Sequence, residues 1–171
     1  MDTKEILKTL CAARGNSGAE DEAAAVCERL LAPYGKVRRD NLGNVICEVA
    51  PKKGVRHVLL DAHMDQIALI VTHIDENGFV FAMNCGGIDR RSIWGTRVTV
   101  MGKDGEYPGV VCSVPKPLQG DGKQENPKPE DFAVDIGFDK ETAEKLVRPG
   151  DRVMLLGKWQ DMGNGYVSSP A

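Results

Sequence analysis

Apolar residues recur at helical spacing near the start of the chain. Ile6, Leu7 and Leu10 make one face, with Lys4, Glu5 and Lys8 outside it, so residues 2–13 read as a short amphipathic helix. Gly15-Asn16 breaks it. Ser17-Gly18-Ala19-Glu20 then has the spacing of a capping box, with the hydroxyl at the N-cap and the carboxylate three residues on. The stripe Ala23, Val26, Cys27, Leu30 and Leu31 carries a second helix to Pro33 and Gly35. Three strands are expected next, Lys36–Arg39, Val45–Val49 and His57–Ala62. Turns at Asn41-Leu42-Gly43-Asn44 and Pro51-Lys52-Lys53-Gly54 separate them. Within the third, Val58-Leu59-Leu60 reads as a buried strand.

From about Ile67 to Met162 the pattern changes to short β runs between turns. Ile70–Ile74 and Phe79–Met83 flank Asp75-Glu76-Asn77-Gly78, a hairpin signal through Asn-Gly. Val98–Met101 and Gly109–Cys112 flank a second hairpin turn, Gly102-Lys103-Asp104-Gly105. Residues 115–130 are rich in Pro, Gly and charge and read as a long irregular loop. Phe132–Ile136 is a strand, Asp139 caps a short helix to Val147, and Val153–Leu156 and Tyr166-Val167 are final strands. The whole reads as an α/β scaffold into which a β-rich, barrel-like module is spliced.

Composition narrows the function classes. The 171 residues carry a formal charge of −3 with acids and bases interspersed, which argues against a nucleic-acid or anionic-membrane surface. No apolar run approaches the ~18 residues needed to span a bilayer. Five cysteines without a CxxC spacing read as reduced thiols of a cytoplasmic protein.

The candidate chemistry lies in His63-x-Asp65, directly after the apolar run. A histidine and a carboxylate two positions apart on an extended segment point to one side. Neutral imidazole suits Zn²⁺ and Co²⁺, and a neighbouring carboxylate can fix its tautomer. His57 and His73 read as surface or packing histidines.

An ordered set of motifs resembles the tetrahedral-assembly metallo-aminopeptidases, the glutamyl-aminopeptidase group also known as "cellulase M" endoglucanases. The motifs are Ser17-Gly18-Ala19-Glu20, Asp40-Asn41-Leu42-Gly43-Asn44, Leu60-Asp61-Ala62-His63-Met64-Asp65, Gly78-Phe79, Gly86-Gly87-Ile88, Val134-Asp135-Ile136-Gly137, Arg148-Pro149-Gly150-Asp151 and Ser169-Pro170-Ala171. They run through essentially the whole chain.

The resemblance implies a partial zinc-peptidase-like α/β catalytic domain with an inserted PDZ-like dimerisation domain. The expected division is 1–69 for the first part of the catalytic domain, 70–160 for the insertion and 161–171 for the return. It implies a cytoplasmic enzyme with two divalent metal ions, Zn or Co, that releases N-terminal residues from peptides with a metal-activated water. His63 is then a metal ligand and Asp65 the catalytic-site carboxylate that supports it. Homo-oligomers would form through the insertion. Two positions depart from the family's pattern, Gln66 where Glu is usual and Ala68 where Gly is usual. The family's bridging aspartate, catalytic glutamate and remaining ligands have no counterparts here. The resemblance therefore implies the N-terminal part of a longer enzyme, inactive alone. The alternative reading is a self-association or peptide-binding module using strand addition. A weaker one is an endoglucanase, which needs two positioned carboxyl groups.

Overall fold

The computed structural model describes residues 2–49, 56–112, 132–155 and 157–169. The expected loop at 115–130, the turn at 51–54 and the terminal Pro170-Ala171 fall outside them. The chain divides into two compact units, Met1–Gln66 with Lys158–Ala171, and Ile67–Gly157.

In the first unit, helices α1 (Thr3–Ala12) and α2 (Asp21–Leu31) precede a hairpin of β1 (Lys36–Arg39) and β2 (Val45–Glu48). The hairpin register pairs Lys36 with Glu48 and Arg39 with Val45. Its turn is built on Asp40, whose Oδ1 accepts from the backbone N–H of Leu42 and Asn44, both at 2.9 Å. Arg39 holds the hairpin to α2 by reaching Glu28 at 3.0 Å and Asp21 at 2.8 Å. At the far end of the chain, Gln160–Asp161 (β9 in chain order) pairs antiparallel with Val167–Ser168 (β10). The Gly163–Gly165 turn joins these two, so the strand expected at Tyr166-Val167 forms at Val167–Ser168 and pairs with Gln160–Asp161.

The expected strand His57–Ala62 is not formed. Residues 56–65 take no helix or strand, and Val58, Leu59 and Leu60 are 80%, 86% and 91% exposed. A strand exists only through a neighbour's hydrogen bonds. Among the described residues no strand pairs with this run, so its apolar pattern alone cannot order it.

The second unit is a closed six-stranded barrel, with strands β3 (Ala68–Ile74), β4 (Val80–Cys85), β5 (Arg97–Met101), β6 (Glu106–Val111), β7 (Phe132–Asp135) and β8 (Arg152–Leu155). Their order around the barrel is β3-β4-β7-β6-β5-β8. Both expected hairpins form, β3 with β4 and β5 with β6. Asp75 closes the first turn by accepting from Asn77 and Phe79 N–H at 2.9 Å each. Gly78 sits at φ +89°, a conformation that excludes most side chains.

Alternation of inward and outward residues along each strand fills the interior with Leu69, Val80, Val98, Val100, Phe132 and Val153, all at 0% exposure. Trp94 meets the Phe132 ring edge-on at 6.3 Å. Helix α3 (Lys140–Leu146) opens as expected on Asp139, whose side chain accepts from Thr142 N–H at 2.9 Å. Ala68, where the family's pattern has Gly, is fully buried in β3, so its methyl is accommodated. Among the described residues the six strands close on one another, each paired on both sides.

Candidate metal-ligand site

The site is built by the connection between α1 and α2, which runs beside residues 63–66. Gln66 N–H donates to Gly15 O at 2.6 Å, and Asn16 and Gln66 form a parallel bridge. The Gln66 side chain adds a third tie, its Nε2 donating to Ala13 O at 3.2 Å. Ala23 N–H donates to Arg14 O at 3.0 Å and fixes the same connection to the start of α2. The approach is close enough to require glycine at position 15. A Cβ there would lie 2.6 Å from Ala23 Cβ and 3.3 Å from Met64 O. Asn16 is 4% exposed, so the connection is packed rather than draped over the surface.

This register delivers Ser17 to Asp65. The Ser17 hydroxyl donates to Asp65 Oδ2. The other carboxylate oxygen, Oδ1, lies 3.0 Å from His63 Nδ1, and the Asp65 carbonyl oxygen lies 3.1 Å from the same nitrogen. Both neighbours of Nδ1 are acceptors, so in the neutral ring Nδ1 carries the proton and Nε2 keeps its lone pair. The hydrogen bond from Ser17 holds the Asp65 carboxyl below its usual range. Partial burial opposes that pull and the hydrogen bond to His63 adds to it. The His63 side chain is 85% exposed, which leaves Nε2 accessible.

The expected capping box is overturned here. Helix α2 starts at Asp21 with Glu20 at the N-cap and no side-chain cap. Glu20 Oε1 instead accepts from Gly18 N–H at 2.6 Å. Gly18 has φ +81°, which no first helical residue adopts. A capping box at Ser17 would have put Gly18 at that first helical position, and this glycine was the one signal in the sequence against it. Ser17 is thus freed from the helix and spent on Asp65.

The other sequence candidates lie apart from this arrangement. His73 stacks on Phe81 at 4.6 Å, consistent with its packing role. His57 is exposed in the irregular stretch. Other acids are engaged elsewhere, Asp75 in its turn, Glu76 with Lys140 at 2.7 Å, and Asp89 with Arg91 at 2.8 Å.

His63 fits a divalent metal as a single ligand, with an oriented ring and an open Nε2. A catalytic zinc usually takes three protein ligands. Among the described residues no three His, Cys, Asp or Glu side chains gather at metal spacing.

Comparison with known proteins finds relatives that cover nearly the whole chain. The family model of M42 glutamyl aminopeptidases matches residues 43–171. A lysyl aminopeptidase of Pyrococcus furiosus is 30% identical over 160 residues, covering 91% of this chain and 45% of that protein. The TET aminopeptidase of a marine-sediment archaeon, Thaumarchaeota archaeon SCGC AB-539-E09, superposes with a TM-score of 0.85 at 31% identity, covering 95% of this chain and 47% of that one. The Pyrococcus horikoshii TET1 peptidase, described as assembling into a tetrahedron or a large octahedral shell, has a TM-score of 0.83 at 30% identity and covers 98% of this chain and 50% of its own. The chain spans less than half the length of the curated relatives it matches.

Proposed function

This chain belongs to the M42 glutamyl aminopeptidase family, and on that premise we propose that it serves metal-dependent release of N-terminal residues from peptides. Its contribution to that reaction is one arm of the metal site: His63 Nε2 as ligand and Asp65 as the carboxylate that holds the ring. The observation that carries this reading is the contact of His63 Nδ1 with Asp65 Oδ1 at 3.0 Å on an exposed side chain, which in the neutral ring leaves the lone pair on the opposite nitrogen. When bound, a divalent ion such as Zn²⁺ or Co²⁺ polarises a peptide carbonyl and lowers the pKa of a water. The family's chemistry is expected to use two such ions. Asp65 keeps its negative charge through neutral pH and orients the imidazole for whichever ion is bound.

The barrel unit, residues 67–157, is contiguous in sequence and has its own core. We assign it the role of an inserted self-association domain, by analogy with the TET1 shells. Five free, half-buried thiols support a reducing, cytoplasmic setting. Among the described residues no helix is long and apolar enough to cross a membrane.

Hydrolysis of aminoacyl chromogenic substrates with excess Co²⁺ or Zn²⁺, beside a His63→Ala variant, tests the reading. One arm of a site predicts weak metal binding that His63→Ala abolishes, and no turnover by the 171-residue chain alone. Turnover lost in His63→Ala would place a completed site in the assembled protein. Turnover that survives His63→Ala contradicts the assignment.

A further inference from the structure

We propose that Ser17 is a positioning residue for His63, acting through Asp65. The inference rests on the reading of His63 as a metal ligand but is carried by a separate contact. Residues 56–65 have neither helix nor strand; the Asp65 carbonyl oxygen also lies 3.1 Å from His63 Nδ1, but it does not orient the carboxylate. A carboxylate on such a segment can rotate and offer either oxygen, or neither, to the imidazole. Ser17 removes that freedom by donating its hydroxyl to Oδ2, which leaves Oδ1 against His63 Nδ1.

The donor comes from a rigid place. Its connection is tied by Gly15 O to Gln66 N–H at 2.6 Å, by Arg14 O to Ala23 N–H at 3.0 Å and by the Gln66 side chain to Ala13 O at 3.2 Å. The chain of contacts therefore runs from a packed interhelical connection to Ser17, to Asp65, to the tautomer of His63. Its chemical result is a proton held on Nδ1 and a lone pair on Nε2. Free imidazole side chains favour the opposite tautomer, so the arrangement has something to enforce. Partners that orient a metal-bound histidine from behind typically change metal affinity by about 10–100-fold when removed.

The test has two readouts in the 171-residue chain. The first needs no metal: two-bond ¹⁵N–¹H correlations of the His63 ring, at a pH where it is neutral, in the parent, Ser17→Ala and Ser17→Thr. The parent is expected to show protonated Nδ1 and bare Nε2. Ser17→Ala is expected to drift toward the Nε2–H form, and Ser17→Thr, which restores a hydroxyl, to return it. The second readout is Zn²⁺ affinity by competition with a chromophoric chelator, expected to fall about tenfold in Ser17→Ala and recover in Ser17→Thr. Backbone amide shifts of Ala23 and Gln66 report whether the connection itself has moved.

An unchanged His63 tautomer in Ser17→Ala overturns the proposal. So does a loss in Ser17→Ala that Ser17→Thr does not restore, since it would reflect packing and not the hydroxyl. A tautomer that follows the hydroxyl while no variant affects Zn²⁺ binding would uphold the positioning role and sink the metal-ligand reading beneath it.

Discussion

The hydroxyl of Ser17 hydrogen-bonds the carboxylate of Asp65 across 48 positions of sequence, and through it the first helical connection governs the ring of His63. Neither residue lies on a helix or strand. Their meeting is set by the parallel bridge of Asn16 with Gln66 and the bond from Gln66 N–H to Gly15 O, and the residues around that bridge are the ones whose replacement has a foreseeable effect.

Gln66 is one of them. It stands where the family's pattern usually has Glu, and its amide does what a carboxylate cannot, donating to Ala13 O. Gln66→Glu would set a charged acceptor against a carbonyl. The expected loss is about 1 kcal/mol of folding stability, from one hydrogen bond removed and one acceptor unpaired. Urea denaturation with a common slope measures it. An unchanged or raised midpoint would contradict the assigned hydrogen bond.

Gly15→Ala should cost more than an exposed Gly→Ala change usually does. The added methyl meets the Cβ of Ala23, at 2.6 Å, and neither backbone can yield without breaking the ties to Ala23 and Gln66. Overpacking of this kind costs about 1–3 kcal/mol. The same change should weaken Ser17's hold on Asp65, visible as a shift in the His63 ring resonances.

The run Val58-Leu59-Leu60 gives the opposite expectation. These side chains are 80–91% exposed, so Leu59→Lys and Leu60→Lys should change stability by no more than about 0.5 kcal/mol. Replacing apolar surface with charge should also raise solubility, read by light scattering at increasing concentration. A loss of several kcal/mol on thermal melting would mean that the run is a buried strand after all.

Asp89 offers a pH test within the barrel unit. The guanidinium of Arg91, bonded at 2.9 and 2.8 Å, together with the Arg91 N–H, holds its carboxyl at about 2 against an ordinary 3.8. A lowered folded value means that the pair favours the folded state above about pH 3.8. That contribution disappears as the pH falls toward 2. Carboxyl ¹³C titration should give a midpoint near 2 in the parent, moving toward 3.8 in Arg91→Ala.

The barrel was the most legible part of the chain. Its hairpins carry their own turn chemistry, as at Asp75 and Gly78, and its alternating valines specify a buried face from local pattern alone. The cap of α3 at Asp139 is equally local. His57–Ala62 departs from its pattern for the complementary reason: an apolar run encodes burial, but a strand also needs a neighbour, which a local pattern does not supply. At Ser17 a local rule competed with a long-range contact. The spacing to Glu20 fits a capping box, while the positive φ of Gly18 turns the chain away from helix and toward Asp65. His63 and Asp65 stood out because their chemistry is carried by residue type and a two-residue spacing. Ser17 did not, because its role exists only in three dimensions.

If His63 binds a divalent metal through Nε2 while Asp65 holds Nδ1, a Zn²⁺ titration of the 171-residue chain, followed by the ring nitrogens of its three histidines, has a definite outcome. The His63 Nε2 resonance is expected to move first, with Nδ1 still protonated, and His57 and His73 to respond only at higher metal. A titration in which His63 stays silent while another histidine takes the metal would contradict that assignment.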